Sequence, residues 1–280
     1  MGLIISTVTH LDGITGSDFL KNDDKTLIPN RDDIAKIIRD LQSLLFPNYF
    51  KHSEGSENVL SQTEFLLNIY NRLAEQIRGA YAFNGTQMEK SPEEICNDFI
   101  AQLPKVKRML IKDIEALYEG DPAAKCHEEV LICYPGFRAI SIYRLAHELY
   151  ILRVPLIPRI MTEYAHEKTG VDIHAGATIG EYFFIDHGTG IVVGETTTIG
   201  NHCKLYQGVT LGAKSFEVDE NGNPVKSIKR HPDIGNNVII YANATILGGN
   251  TKIGDNCVIG GNTWLTHSVE EGSTVYYSGN

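Results

Sequence analysis

Residues 171–212 read VDIHAGATIGEYFFIDHGTGIVVGETTTIGNHCKLYQGVTLG, and an aliphatic or small residue returns at every sixth position: Ile173, Ile179, Ile185, Ile191, Thr197, Cys203 and Val209. A unit of six is too short to build a helix of its own. The period resumes as Ile234, Ile240 and Ile246, slips by one residue at Gly248-Gly249, and continues as Ile253, Ile259 and Leu265. Glycines such as Gly176, Gly194, Gly235 and Gly254 fill the gaps. This pattern predicts a parallel β-helix, in which each repeat supplies one short strand and a turn and three repeats close a triangular coil. The aliphatic residue of each repeat then stacks about 4.8 Å from its counterpart in the next coil. A sandwich of short alternating strands does not hold one six-residue phase for so long. The break at 213–229, with Asn221-Gly222-Asn223-Pro224 inside it, reads as a loop protruding from one edge. Its Lys214, Lys226 and Lys229 make it a basic flap suited to guarding an anionic ligand.

Upstream the period changes. From about Asp32 to Lys168 apolar residues recur at helical spacing, as in Ile34, Ile37, Ile38, Leu41, Leu44 and Leu45, and in Leu66, Ile69, Tyr70, Leu73 and Ile77. Ser91-Pro92-Glu93-Glu94 carries a capping serine, a proline at the first helical position and a glutamate at the third, so a helix starts there. Gly120 and Asp121-Pro122 end the helix that carries Leu110, Ile114 and Leu117. Further helices are expected over about 136–150 and 155–168. The fold class is therefore α+β: an N-terminal segment (1–30), an all-helical domain (31–169) and a C-terminal parallel β-helix (170–280), left-handed as the family resemblance given below implies.

At 280 residues, 42% hydrophobic and with a formal charge of -10, the chain is an ordinary globular one. The acidic balance argues against a protein that tracks nucleic-acid phosphates. No apolar run approaches a membrane span, and the N-terminus lacks the basic and apolar regions of an export signal, so the expectation is a soluble cytoplasmic protein. Met1–Ser6 meets the myristoylation pattern formally, but the pattern is short and is not read as an anchor. Cys96, Cys126, Cys133, Cys203 and Cys257 are odd in number and scattered, with no CxxC pair. They read as reduced thiols packed as small apolar groups, and no metal is expected.

Acyl transfer to an alcohol needs a base, and His187 is the best candidate. It sits in Ile185-Asp186-His187-Gly188-Thr189-Gly190, where the repeat's small residues give way to an acid, a histidine and two glycines. Asp172, fifteen residues earlier, would serve as the carboxylate partner, or would merely cap the turn that joins helices to prism. Arg230-His231-Pro232 places a bidentate cation where a carboxylate could bind, or forms a solvated basic turn. Asp121-Pro122 is by default a helix-ending turn.

Together these segments closely resemble the serine O-acetyltransferase family. The resemblance covers roughly Asp121 to Val275 and rests on Gly136-Phe137-Arg138-Ala139, Tyr143-Arg144-Leu145-Ala146-His147, Val171-Asp172-Ile173-His174, the string from Ile185 to Thr196, Val209-Thr210-Leu211-Gly212 and Arg230-His231-Pro232. It implies transfer of acetyl from acetyl-coenzyme A to the L-serine hydroxyl, the first step of cysteine synthesis, with His187 as base and Asp172 as its partner. It further implies that Asp121, Pro122, Asp186, Arg230 and His231 surround the serine, with the acids facing its ammonium and Arg230 its carboxylate. Coenzyme A would lie between neighbouring prisms, near Gly212, Ala213, Ala242 and Gly261. Cysteine would compete as feedback inhibitor, and trimers would join through the helical domains into hexamers.

Some features depart from the family's pattern. Ala213 stands where a second glycine is common, the 213–229 loop is long, and the chain ends at Ser278-Gly279-Asn280 without the isoleucine-terminated tail that docks into O-acetylserine sulfhydrylase. No stable complex with that enzyme is therefore expected. The rival readings are a hexapeptide acetyltransferase for a sugar or xenobiotic, a metal prism of the γ-carbonic anhydrase type using His174, His187, His202 and His231, and a non-catalytic scaffold.

Overall fold

The computed structural model describes residues 1–13, 28–50, 62–215, 217–226 and 228–277. Part of the 1–30 segment and the chain end Ser278-Gly279-Asn280 thus lie outside the described residues. Among the described residues seven helices come first: α1 (Gly2–Gly13), α2 (Arg31–Leu45), α3 (Gln62–Asn84), α4 (Pro92–Gly120), α5 (His127–Cys133), α6 (Pro135–Ile151) and α7 (Ile157–Thr169). The expected cap at Ser91 is present in full: its side chain accepts from the Glu94 N–H while the Glu94 carboxylate accepts from the Ser91 N–H. The stripe of Ile34, Ile38 and Leu41 on α2 meets Ile69, Leu73 and Ile77 of α3 in one core. Each such residue contributes about 1.5–3 kcal/mol on burial.

From Asp172 the chain runs through short strands: β1 (Asp172–Ile173), β2 (Thr178–Ile179), β3 (Phe184–Ile185), β4 (Val192–Val193), β5 (Thr198–Ile199), β6 (Lys204–Leu205), β7 (Thr210–Gly212), β8 (Asp233–Ile234), β9 (Ile239–Ile240), β10 (Thr245–Leu247), β11 (Lys252–Ile253), β12 (Val258–Ile259), β13 (Trp264–Leu265) and β14 (Thr274–Val275). The strands fall into three sheets: a first of β1-β4-β7-β10-β13, a second of β2-β5-β8-β11 and a third of β3-β6-β9-β12-β14. Every pairing among these strands is parallel. Up to β12 the chain visits the three sheets in strict rotation, so each strand stacks on the one three places earlier.

Two inward columns fill the interior, and this corrects a detail of the periodicity. The strand residues Ile173, Ile179, Ile185, Val193, Ile199, Leu205 and Leu211 point inward, and so do the residues two places before them, including Ala177, Phe183, Ile191, Thr197, Cys203 and Val209. The six-residue series runs along the strand column to Ile185, then steps onto the preceding-residue column at Ile191. The step hides two extra residues: Asp172 pairs with Val192, a coil of 20 residues, whereas Val192 pairs with Thr210, a coil of 18. The insertion falls on the turn that holds His187.

The helices are fastened to the first coil by a buried ion pair. Arg144 of α6 donates Nε to Asp113 Oδ2 (2.5 Å) and Nη2 to Asp113 Oδ1 (2.7 Å) of α4, and it also donates to the carbonyls of Ile179 and Gly180. Asp113 in turn accepts from the Phe183 N–H. Gly120 and Gly136 allow close approach: a Cβ on the first would sit 2.5 Å from the Phe184 ring, and on the second 2.5 Å from the Ile185 carbonyl oxygen. The cysteines divide. Cys96, Cys203 and Cys257 are buried, burial pushing the Cys96 thiol up to about 12, but Cys126 and Cys133 are exposed rather than packed. Among the described residues no helix is long and apolar enough to cross a membrane.

Candidate functional site

The residues singled out in the sequence gather at the two edges that border the first sheet. The edge where the chain passes from third sheet to first carries Asp186 and His187. The His187 backbone is left-handed (φ 56°), a conformation that Asn237, Asn243, Asn256 and Asn262 adopt at other turns. Its N–H donates to Asp186 Oδ1 (2.8 Å) and its Nε2 lies 3.6 Å from Asp186 Oδ2, with the imidazole 68% exposed. Gly188 must be glycine: φ is 86°, and a Cβ would press to 2.8 Å on Val171.

The end of α4 brings Asp121 to the same place. Its N–H closes the helix on the Leu117 carbonyl, Oδ1 accepts from the Ala123 N–H (2.8 Å), and Oδ2 accepts from the Tyr134 hydroxyl (2.5 Å). The Tyr134 bond, then the Ala123 bond, hold this carboxyl below the usual carboxylate range, with a smaller contribution from His187. The default reading of Asp121-Pro122 as a helix-ending turn is thus correct as structure, and the same carboxylate still faces the histidine's edge. Tyr134 is kept protonated by burial first and by Asp121 second.

Asp172 begins β1 at this edge, its N–H donating to the Ile191 carbonyl (2.9 Å). Among the described residues no hydrogen bond joins it to His187. Its carboxylate lies instead with Glu163 and His166 of α7, ligand atoms of all three falling within 4.8 Å of one another. Nor does the Asp172 side chain cap the junction, where Thr169 Oγ1 accepts from the Val171 N–H (3.2 Å) and Gly170 supplies the left-handed turn.

The opposite edge of the first sheet, where the chain passes to the second, carries the cationic half. Arg230 donates to Glu195 Oε2 (2.5 Å), whose other oxygen accepts from the Tyr150 hydroxyl (2.9 Å). His231 is buried against Gly194, where a Cβ would lie 2.0 Å from the imidazole Cδ2. The Thr196 N–H donates to His231 Nδ1 (3.1 Å), so the ring proton sits on Nε2. Burial, and then the charge of Arg230, pull its pKa down to about 4, and the ring stays neutral at physiological pH. Lys229 is not a free guard, since it is bound to Asp233 and to the Thr196 carbonyl. A cleft of about 310 Å³ opens beside Arg230, between Lys214 and Ile228 of the loop and Gly248 and Gly249.

The four backbone positions named for coenzyme A divide in the same way. Gly212 and Ala213 lie at the Arg230 edge, while Ala242 and Gly261 lie at the His187 edge, where a Cβ on Gly261 would meet the Ala242 oxygen at 3.0 Å. The histidines of the metal-prism reading do not converge: among the described residues, the group of three donors within reach of one ion is Glu163, His166 and Asp172. Sequence reading overlooked Tyr134, Tyr150, Glu195, Tyr206 and Gln207, the last with its Oε1 buried one coil from His187 and without a partner among the described residues. Of these, only Glu195 stood inside the strings that carry the family resemblance.

Comparison with known proteins decides the family. The chain is 45% identical over 260 residues to a plasmid-encoded serine acetyltransferase of Synechococcus elongatus, covering 89% of this chain and 81% of that one. The chain belongs to the serine acetyltransferase family. Residues 50–141 match the family model for the serine acetyltransferase N-terminal region. Among solved structures, serine acetyltransferase 1 of Entamoeba histolytica in complex with L-cysteine superposes with a TM-score of 0.74 at 35% identity, over 86% of each chain. A serine acetyltransferase in complex with CoA superposes at 0.58 and 27% identity, over 88% of this chain and 96% of that one. The family is one of acyltransferases, so the two edges are to be read as parts of an acyl-transfer site.

Proposed function

We propose that this chain transfers acetyl from acetyl-CoA to the hydroxyl of L-serine, with His187 as general base, at a site completed by a second copy of the chain. One observation carries the reading. The groups suited to a zwitterion's ammonium, Asp121 and Asp186, share an edge with His187, while Arg230 and His231 stand across the first sheet at the other edge. Neither edge alone holds base, anion and cation.

Side-by-side packing of two prisms brings the His187 edge of one against the Arg230 edge of the next. Outward-facing Val192 and Trp264, 37% and 68% exposed on the first sheet between the edges, support a covered face there. Three copies close such a head-to-tail contact into a ring. A trimer, or a dimer of trimers joined by the helical domain of 31–169, is the assembly we infer, built on a left-handed parallel β-helix of 170–280. That hand is the family's, and the strict three-sheet rotation is compatible with it.

In the assembled site His187 Nε2 takes the serine hydroxyl proton as the oxygen attacks the thioester carbonyl, and returns it to the departing thiolate. Asp121 and Asp186 hold the ammonium, and Arg230 turns from Glu195 to the carboxylate. The Nε2–H of neutral His231 donates beside it. Asp172 steadies the imidazolium once the neighbouring copy and substrate turn the His187 side chain, which in the isolated chain lies 3.6 Å from Asp186. Gly212 and Ala213 of one copy and Ala242 and Gly261 of the next border the pantetheine arm. The cysteine and CoA bound to the related proteins support cysteine as competitor at the serine site and acetyl-CoA as donor.

The test is thiol release from acetyl-CoA with and without L-serine, run beside His187→Ala. The expected loss is about 10²–10⁴-fold in kcat. Activity of the variant near wild type removes His187 from the base's role.

A further inference from the structure

Three side chains on one stripe of α6 reach the first turn of the prism, and the last of them ends differently from the other two. Tyr143, His147 and Tyr150 stand at i, i+4 and i+7, so they share a face of the helix. The Tyr143 hydroxyl donates to the Ala177 carbonyl (2.5 Å), and His147 Nδ1–H donates to the Ala175 carbonyl (2.7 Å). Both close on backbone and fasten helix to coil. The Tyr150 hydroxyl instead donates to Glu195 Oε1 (2.9 Å), while Glu195 Oε2 accepts from Arg230. Gly176 makes this meeting possible, since a Cβ there would lie 2.8 Å from Tyr150 Cζ and 2.9 Å from Glu195 Cγ. Burial first, and then Glu195, keep the phenol protonated, so it is the donor in the bond.

Resting on the reading above, we propose that Tyr150 is a positioning residue for the acceptor: its hydroxyl holds the Glu195 carboxylate when Arg230 leaves it for the carboxylate of serine. The need for such a holder follows from burial. The Glu195 side chain is 24% exposed and that of Arg230 22%, so a carboxylate that loses its guanidinium there is short of water as well as of a partner. Among the described residues the bonds from Tyr150 and Arg230 are the two that the Glu195 oxygens accept. His174 stands edge-on to the Tyr150 ring but offers no replacement from Nδ1, since that atom accepts from the Gly176 N–H (3.0 Å). Burial raises the Glu195 carboxyl, yet the bonds from Arg230 and then Tyr150 outweigh it and hold the group below the usual carboxylate range. Glu195 is thus a charge that must be held, and the helical domain takes part in acceptor binding through one phenol.

The measurement is steady-state kinetics of the full chain with L-serine and acetyl-CoA, for wild type, Tyr150→Phe, Glu195→Gln and the double variant. Tyr150→Phe keeps the ring beside His174 and Gly176 and removes the hydroxyl. It is expected to raise the KM for serine about tenfold, within the range for a hydrogen bond to a charged group. The kcat and the KM for acetyl-CoA should stay within about twofold of wild type. In the Glu195→Gln background Arg230 leaves no charge behind, so adding Tyr150→Phe should move the serine KM by less than about twofold. A tyrosine that only props the fold would act alike in both backgrounds. Unchanged KM for serine in Tyr150→Phe overturns the proposal, as does an equal rise with and without the Glu195 charge. If the wild-type chain acetylates no serine, the functional reading fails on its own, and calorimetric titration of L-serine into the same four proteins decides the role of the tyrosine. Weaker binding on Tyr150→Phe that vanishes in the Glu195→Gln background supports it, and equal binding by all four proteins, or none by any, overturns it.

Discussion

His187 owes its position to a backbone few residues accept. The turn it occupies needs a left-handed residue followed by a glycine, and at other turns of the prism asparagines take that conformation. The imidazole there is 68% exposed, with Asp186 Oδ2 at 3.6 Å from its Nε2. Asp121 is the opposite case, with both carboxylate oxygens occupied by Ala123 and Tyr134. Because these bonds lower its pKa, the carboxylate keeps its charge below the ordinary value of about 3.9, and any stability it contributes is lost only as pH falls through the lowered folded value. Tyr134→Phe removes the largest cause, so the pKa moves up and the acid fall of serine affinity begins at higher pH than in wild type. Calorimetric titration with serine at pH values from 7 downward checks this; superimposable profiles would show that Tyr134 does not tune the acid.

At the scale of elements, the bond between helices and prism rests on Arg144 and Asp113, 4% and 0% exposed at their side chains. A buried pair is costly to assemble but more costly to halve. Arg144→Met leaves Asp113 unpaired beside Phe183 and is expected to destabilise the fold by about 3–5 kcal/mol. The double change Arg144→Met with Asp113→Leu should recover part of that loss. Urea unfolding of these two variants, Asp113→Leu and wild type measures the coupling, and equal midpoints for wild type and Arg144→Met would remove the pair from the fold's support. The helix start at Ser91 and stop at Gly120 were legible because a cap is chemistry within one turn of chain. The junction pair was not, since 31 residues separate its partners.

At the scale of the whole molecule, His187 and Arg230 stand on opposite edges of one sheet, and the assembly proposed above is what unites them. If each site takes its His187 edge from one copy and its Arg230 edge from another, two inactive variants complement. His187→Ala and Arg230→Ala, unfolded and refolded together in equal amounts, should regain about a quarter of wild-type activity, because half the edges of each kind are intact and they pair at random. No recovery on mixing would place the whole site within one chain. The cationic loop fits this arrangement, with Lys229 spent on Asp233 and Arg230 left to exchange Glu195 for a substrate carboxylate.

The sequence by itself determined the helical half, the six-residue coil, the loop at 213–229 and the short string around His187, because each is written in residues a few positions apart. It did not reveal that the coil bearing His187 is two residues longer, since Ile191 keeps the six-residue beat while standing in a different inward column. Nor did it show that Tyr134 grips Asp121, that Glu195 holds Arg230, or that Asp172 gathers with Glu163 and His166. Tertiary structure decided these, because coiling stacks residues 18 or 20 apart and packing the helices onto the first coil joins residues farther still. Distance along the chain carries no trace of that.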